Sequence, residues 1–322
     1  MRETRMADTD SIAATAAVGH VHLTVRDLPG MARFYRETLG FRDAWTDRDR
    51  TVFLSSDGRY PFHVGLTAEP TAPLPGGKSP GLYHSAFLLP ARRDLARLVQ
   101  WMLSRGVAID GAADHLVSEA LYLRDPEGNG IEVYADRPRD HWTHRDGQIV
   151  MAADPIDLEG LLAEAGAEEW TGIHPETRLG HVHLRVSDLG RAETFYHGVL
   201  GFDIAVRGYT GALFLSAGGY HHHLGVNTWG SRGAPHPPPG SAGLREFTVT
   251  LPDTRELARI VRRAEREGVR IENAVDHGLC EAVTLRDGDG IAVALTVDRV
   301  SGRVASTGWT STPTTVEAVL GA

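Results

Sequence analysis

VGHVHLTVRDLPGMARFYRETLGF (residues 18–41) recurs as LGHVHLRVSDLGRAETFYHGVLGF (residues 179–202), with no gap and an offset of 161 positions. A long fixed-period repeat has to be recognised before any fold is considered, because each copy is one structural unit. The likeness continues downstream. TVFLSSDGRYPFHVGL (51–66) matches ALFLSAGGYHHHLGV (212–226) with one deletion, GLYHSAFLLPARRDLARLV (81–99) matches GLREFTVTLPDTRELARIV (243–261), and DHLVSEALYLRDPEGNGIEV (114–133) matches DHGLCEAVTLRDGDGIAV (276–293).

Each copy divides again. An alternating strand such as HVHLTV (20–25) or YHSAFLL (83–89) opens each smaller module, and an amphipathic helix follows. The first helix is expected over Leu28–Leu39 and the second over Arg92–Arg105, where Leu95, Leu98, Val99 and Met102 share one face. Three short strands then close the module. The reading is α+β: four β-α-β-β-β modules at 18–67, 82–135, 179–228 and 244–297. Residues 68–80 and 229–242 are Pro/Gly-rich loops. Residues 136–178 form a linker, within which DPIDLEGLLAEAG predicts a capped short helix. The expected organisation is a disordered leader at 1–17, an N-terminal domain at 18–135, the linker, a C-terminal domain at 179–298 and a tail at 299–322.

Bulk properties narrow the class. The chain has 322 residues, 42% of them hydrophobic, enough for two ordinary domains. No apolar run reaches the roughly 18 residues of a membrane span, and the acid-containing N-terminus lacks the apolar core of a secretory signal. The single Cys280 rules out an internal disulfide and fits a reducing, cytoplasmic setting. A net charge of −9 without a basic cluster argues against nucleic acid and anionic membrane as partners. A homo-oligomer is compatible with these properties.

The run from His115 to Glu132 carries the chemistry. It holds His115, Tyr122 in Leu-Tyr-Leu, the turn Asp125-Pro126-Glu127-Gly128, and Glu132 in Ile-Glu-Val-Tyr. The turn reverses the chain between two strands, so Tyr122 and Glu132 can face one cleft. One carboxylate, two or more histidines and a neighbouring phenol are the parts of a non-haem iron oxygenase site.

The four modules, the GHVHL openings and the FY-x(3)-LGF helix ends resemble the vicinal oxygen chelate superfamily over roughly 18–298. The 115–132 run resembles that superfamily's extradiol ring-cleavage dioxygenase signature in spacing throughout, departing from it at Ala113. GLYHSAFLLP, NGIEVYADRP and YHHHLGVNTW resemble, more narrowly, the two-domain bacterial catechol 2,3-dioxygenase-like proteins. The resemblance implies β-cups, in which two modules curl round one metal. It implies Fe(II), with Mn(II) also compatible, and an aromatic diol and dioxygen as substrates.

By family position, His84 and Glu132 are two metal ligands, and their counterparts Glu246 and Ala292 have lost the pattern, so one metal site is expected. The third ligand is His181 or its equivalent His20. His222, at the family's acid–base position, favours His181, because Phe62 stands at that point in the first module and only His63 beside it is titratable. Tyr122 would hydrogen-bond substrate, and His115 would stabilise charge on dioxygen. His277 repeats His115 in the half without a metal, which leaves a structural turn as the other reading of that position. His22 and His183, two residues after His20 and His181, are read as core residues in preference to cup-lining ones. Two other functions remain open, a glyoxalase- or epimerase-like metal enzyme and a non-catalytic binding protein. The former generally needs a further Glu where the strands here read YPFHVGL and YHHHLGV.

Overall fold

The computed structural model describes residues 11–47, 50–76 and 78–321. Each module follows the expected strand, helix and three strands. Aspartates cap three of the four module helices: Asp27 accepts from Gly30 N ahead of Leu28–Glu37, Asp188 from Arg191 N, and Asp253 from Glu256 N ahead of Thr254–Arg266. Such caps satisfy amide donors that have no partner inside the helix. The helix Arg92–Arg105 has no such cap and ends on Gly106 at φ 64°, a left-handed position suited to glycine. The third helix differs from its repeat partner. After Leu189–Glu193 it widens into a π-helical turn over Thr194–Val199.

The modules pair across the chain. One nine-stranded sheet joins module one to module four, through antiparallel pairing of Ala17–Val25 with Gly243–Leu251. An eight-stranded sheet joins module two to module three, through Gly81–Leu89 and Arg178–Arg185. Neither curled sheet is therefore made by one of the consecutive segments 18–135 and 179–298. Both contribute a module to each cup, since the two opening strands of a cup must pair with each other and the linker is long enough to let them.

One continuous apolar core runs behind both sheets and includes Leu23, Phe87, Val182 and Phe247. Two repeated ties hold the sheets together. Tyr35 Oη donates to Asp125 at 3.2 Å, and Tyr196 Oη donates to Asp287 at 2.9 Å, so the FY tyrosine of one module is bound by the turn of the next.

The segments outside the modules also differ from expectation. Of the leader, residues 1–10 lie outside the described residues. Ile12 and Ala16 are buried, and Ile12 N donates to Gly201 O at 2.7 Å. Two small apolar contacts and the bond from Ala13 N to Glu256 Oε1 at 2.8 Å anchor it. The tail folds back as well, placing buried Trp309 against Tyr60 and Phe62. No helix among the described residues is long and apolar enough to cross a membrane.

Candidate metal centre and substrate cavity

Strand register assembles the module two–three cup. Ala86 pairs with His181 on one side and Glu132 on the other, while His84 pairs with His183 and Gly130. A small residue between His181 and Glu132 leaves their side chains room to converge. Glu132 Oε2 lies 3.0 Å from His84 Nε2 and 3.3 Å from His181 Nε2, and the two nitrogens are 3.3 Å apart. All three residues are buried. Burial pushes the Glu132 carboxyl upward, but the two imidazoles outweigh it and hold the group well below its usual range. Burial lowers His181 to about 4, which keeps that ring neutral. His181 Nδ1 has no hydrogen-bond partner, so the ring's polar contacts are all made through Nε2.

Two imidazole nitrogens and a carboxylate directed at one point, in a buried place, fit a divalent transition metal with open positions on one side. Among the described residues, this is the one group of three His, Cys, Asp or Glu side chains whose ligand atoms all lie within 4.8 Å.

His222 is brought against this cluster, its ring centroid 4.1 Å from that of His181. Its Nδ1 meets His221 Nδ1 at 2.8 Å, and His221 Nε2 meets Asp136 Oδ1 at 2.9 Å. This chain orients His222 from behind and leaves Nε2 as the nitrogen available to a ligand. His221 to His223 form a loop ahead of the strand Leu224–Asn227, so strict alternation of faces does not govern them. Tyr122 pairs across the hairpin with Glu132, and its Oη lies 2.5 Å from His115 Nε2. Burial, reinforced by the Glu132 charge, raises the phenol well above its ordinary pKa. His115 Nδ1 is held by Ala152 O at 2.6 Å.

The His115 turn has two layers of meaning. His277 repeats the contact to the following segment, with Nδ1 2.9 Å from Thr310 O, so that part is structural. The bond to Tyr122 belongs to the first copy alone, because the second has Thr284 there.

His84, His115, Tyr122, Glu132, His181 and His222 line a cavity of about 370 Å³. Its remaining wall comes from residues that sequence reasoning did not single out, including Tyr83, Arg185, Tyr209, Phe214 and Trp229. His183, read from sequence as core, lines it too, with Nε2 3.0 Å from Asn227 Nδ2. The alternation His181, His183, Arg185 was the available signal. The linker supplies Met151, Ala152 and Ala153, which no periodicity marks.

The module one–four cup encloses about 470 Å³ but lacks the cluster. His20, Glu246, Ala292, Thr284 and Phe62 all line it. His22 Nδ1 and Glu246 Oε1 are 3.7 Å apart. His63 is not among the lining residues; its Nδ1 accepts from Ser56 N at 3.3 Å and its ring packs on Phe41.

The fold and this site define a class, and the matching family model agrees with it. The chain belongs to the Glyoxalase/Bleomycin resistance protein/Dioxygenase superfamily, matched over residues 17–133 and 178–295. It is 46% identical over 266 residues to Catechol-2,3-dioxygenase of Bacillus subtilis (strain 168), covering 81% of this chain and 92% of that protein. Biphenyl-2,3-diol 1,2-dioxygenase 3 of Rhodococcus globerulus is 30% identical over 128 residues, 39% of this chain and 66% of that one. Among solved structures, glyoxalase I from Zea mays shares the fold at TM-score 0.55 and 18% identity, over 88% of this chain and 92% of that one.

Proposed function

We propose that this protein is a non-haem Fe(II) extradiol dioxygenase that cleaves a catechol-type aromatic diol beside its two hydroxyls, using dioxygen. The observation that carries the reading is the convergence of His84, Glu132 and His181 beside His222 within one cavity. The chain's 46% identity to Catechol-2,3-dioxygenase supports it. His84, Glu132 and His181 would hold the metal, and Mn(II) accepts the same ligand types. When bound, the metal supplies Lewis acidity that lowers the diol's pKa values and binding positions for diol and dioxygen.

The chain's own residues do the rest. Neutral His222, which burial keeps well below its ordinary pKa, accepts the diol's remaining proton at Nε2 and returns it later in the cycle. The His221–Asp136 contact fixes the ring for both transfers. Tyr122 keeps its proton; His115, whose Nδ1 donates to Ala152 O, accepts from the phenol at Nε2 and so positions it, and the hydroxyl turns to donate to the substrate oxygen when the diol is bound. Phe214, Tyr209 and Trp229 supply apolar surface for the ring and exclude water.

A glyoxalase-like reading lacks its additional acid, because the corresponding segment presents His221, His222 and His223. The test is anaerobic reconstitution with Fe(II), then addition of catechol and air. A yellow ring-opened product with matching oxygen uptake is expected. Metal-loaded protein that takes up no oxygen with any catechol would overturn the reading.

A further inference from the structure

Arg185 brings a positive charge to the wall of the substrate cavity. It extends the row His181, His183, Arg185 along one strand, and it lines the same cavity. Nη2 donates to Leu82 O at 2.6 Å, and the guanidinium lies over the Tyr83 ring, 5.7 Å from its centroid. Nε is buried and has no hydrogen-bond partner. Among the described residues no carboxylate pairs with Arg185. The two acids on the cavity wall are already engaged, Glu132 by two imidazoles and Asp110 by Arg124 at 2.8 Å. A half-buried guanidinium normally finds a planar anion, and Nη1, which is not shut off from the cavity as Nε is, is the nitrogen left to meet one.

The spacing suits a ligand rather than a missing protein partner. Leu82 O, which anchors the guanidinium, is two residues along the strand from His84, or about 7 Å at the usual rise. His84 and Arg185 open on the same cavity, so a benzene ring carrying one substituent can lie between them. With its diol at the His84–Glu132–His181 cluster, the ring would run past Tyr83 and His183 toward Arg185.

We propose that Arg185 selects a catechol bearing a carboxylate on the part of the ring away from the diol. The proposal rests on the dioxygenase reading and narrows its substrate class. Arginine suits the task because its fork donates two parallel hydrogen bonds to a carboxylate.

The test uses the full chain reconstituted with Fe(II). Dissociation constants are measured anaerobically for catechol, 3,4-dihydroxybenzoate and 3,4-dihydroxyphenylacetate, and ring cleavage is then followed in air. At least one carboxylated diol should bind about tenfold or more tightly than catechol. Arg185→Met should reduce that preference about 10- to 100-fold, the range for a lost hydrogen bond to a charged group. Arg185→Lys, which keeps the charge, should recover part of it. Binding of all three diols without a preference, or a preference untouched by Arg185→Met, overturns the proposal alone. Binding of none of them overturns the dioxygenase reading with it.

Discussion

The ring of His222 rests on the ring of His181, centroids 4.1 Å apart, and Phe214 closes its other side at 4.9 Å. In the other cup the corresponding place is filled by Phe62, which packs with Phe53 and Trp309. An imidazole beside the donor cluster in one cup and a benzene ring in the other separates a place that can move protons from one that cannot. His222→Phe should therefore retain iron and catechol binding while lowering turnover about 10²- to 10⁴-fold, the usual effect of losing a positioned acid–base group. His63→Phe should leave turnover per folded molecule unaltered, since His63 faces Ser56 and Phe41. Rates of the two purified variants, normalised to bound iron, decide the matter, and the reverse pattern would move the acid–base role to the first module.

Metal analysis should give one equivalent per chain. His84→Ala/Glu132→Ala and His181→Ala should each lose it on dialysis, while His20→Ala should keep it, because only the first three residues converge. Two equivalents, or retention by the double variant, would contradict the assignment.

Tyr122→Phe should bind iron normally and turn over at least about tenfold more slowly, the scale of one hydrogen bond to a charged group. The phenol lies 2.5 Å from His115 Nε2, and His115→Ala in the same assay should produce a smaller loss in the Tyr122→Phe background than in wild type.

Gly180 precedes His181 for a steric reason. A Cβ there would clash with Tyr134 Oη, which itself meets Tyr220 Oη at 2.8 Å. Gly180→Ala should destabilise the protein by about 1–3 kcal/mol, as overpacking does. Adding Tyr134→Phe should restore part of the loss. Denaturant midpoints for the two variants provide the measurement.

Burial raises both turn aspartates, Asp125 and Asp287, from 3.8 to about 6. Folded protein therefore holds more protons than unfolded protein between these values. Their contribution is most favourable below about pH 3.8 and is lost as pH rises through about 6. Each tenfold difference in proton affinity between the folded and unfolded chain is worth about 1.4 kcal/mol. Replacing both with Asn should flatten the stability profile between about pH 4 and 6, and an unaltered slope there would place the titration elsewhere.

Much of this molecule is legible in the chain itself. The ungapped GHVHL repeat and its strand and helix periodicities led to four modules, because burial on one face leaves a pattern in the chain. The pairing of module two with module three rested on one contrast, His222 against Phe62, and the sheet order has that pairing. Part of what escaped notice has no periodic signature. Ile12 and Trp309 are buried, and the 151–153 segment lines the cavity, through contacts with residues distant in the chain, and a loop's sequence does not record what it will cover. His183 and Arg185 sat in plain alternation with His181, but a strand has the same alternation whether its inner face meets a core or a cavity.

The crossed sheet order has a consequence for how the chain can be divided. His84 and Glu132 precede the linker, and His181 and His222 follow it, so a cut between 155 and 170 leaves neither fragment with a full donor set. The cup is a clasp between two polypeptide halves, and whatever binds it binds only the closed clasp. By linkage, a metal or substrate should draw separately produced halves together, raising their mutual affinity by the factor with which it favours the joined state. Iron retention by mixed fragments would then report the moment at which two incomplete chains become one protein.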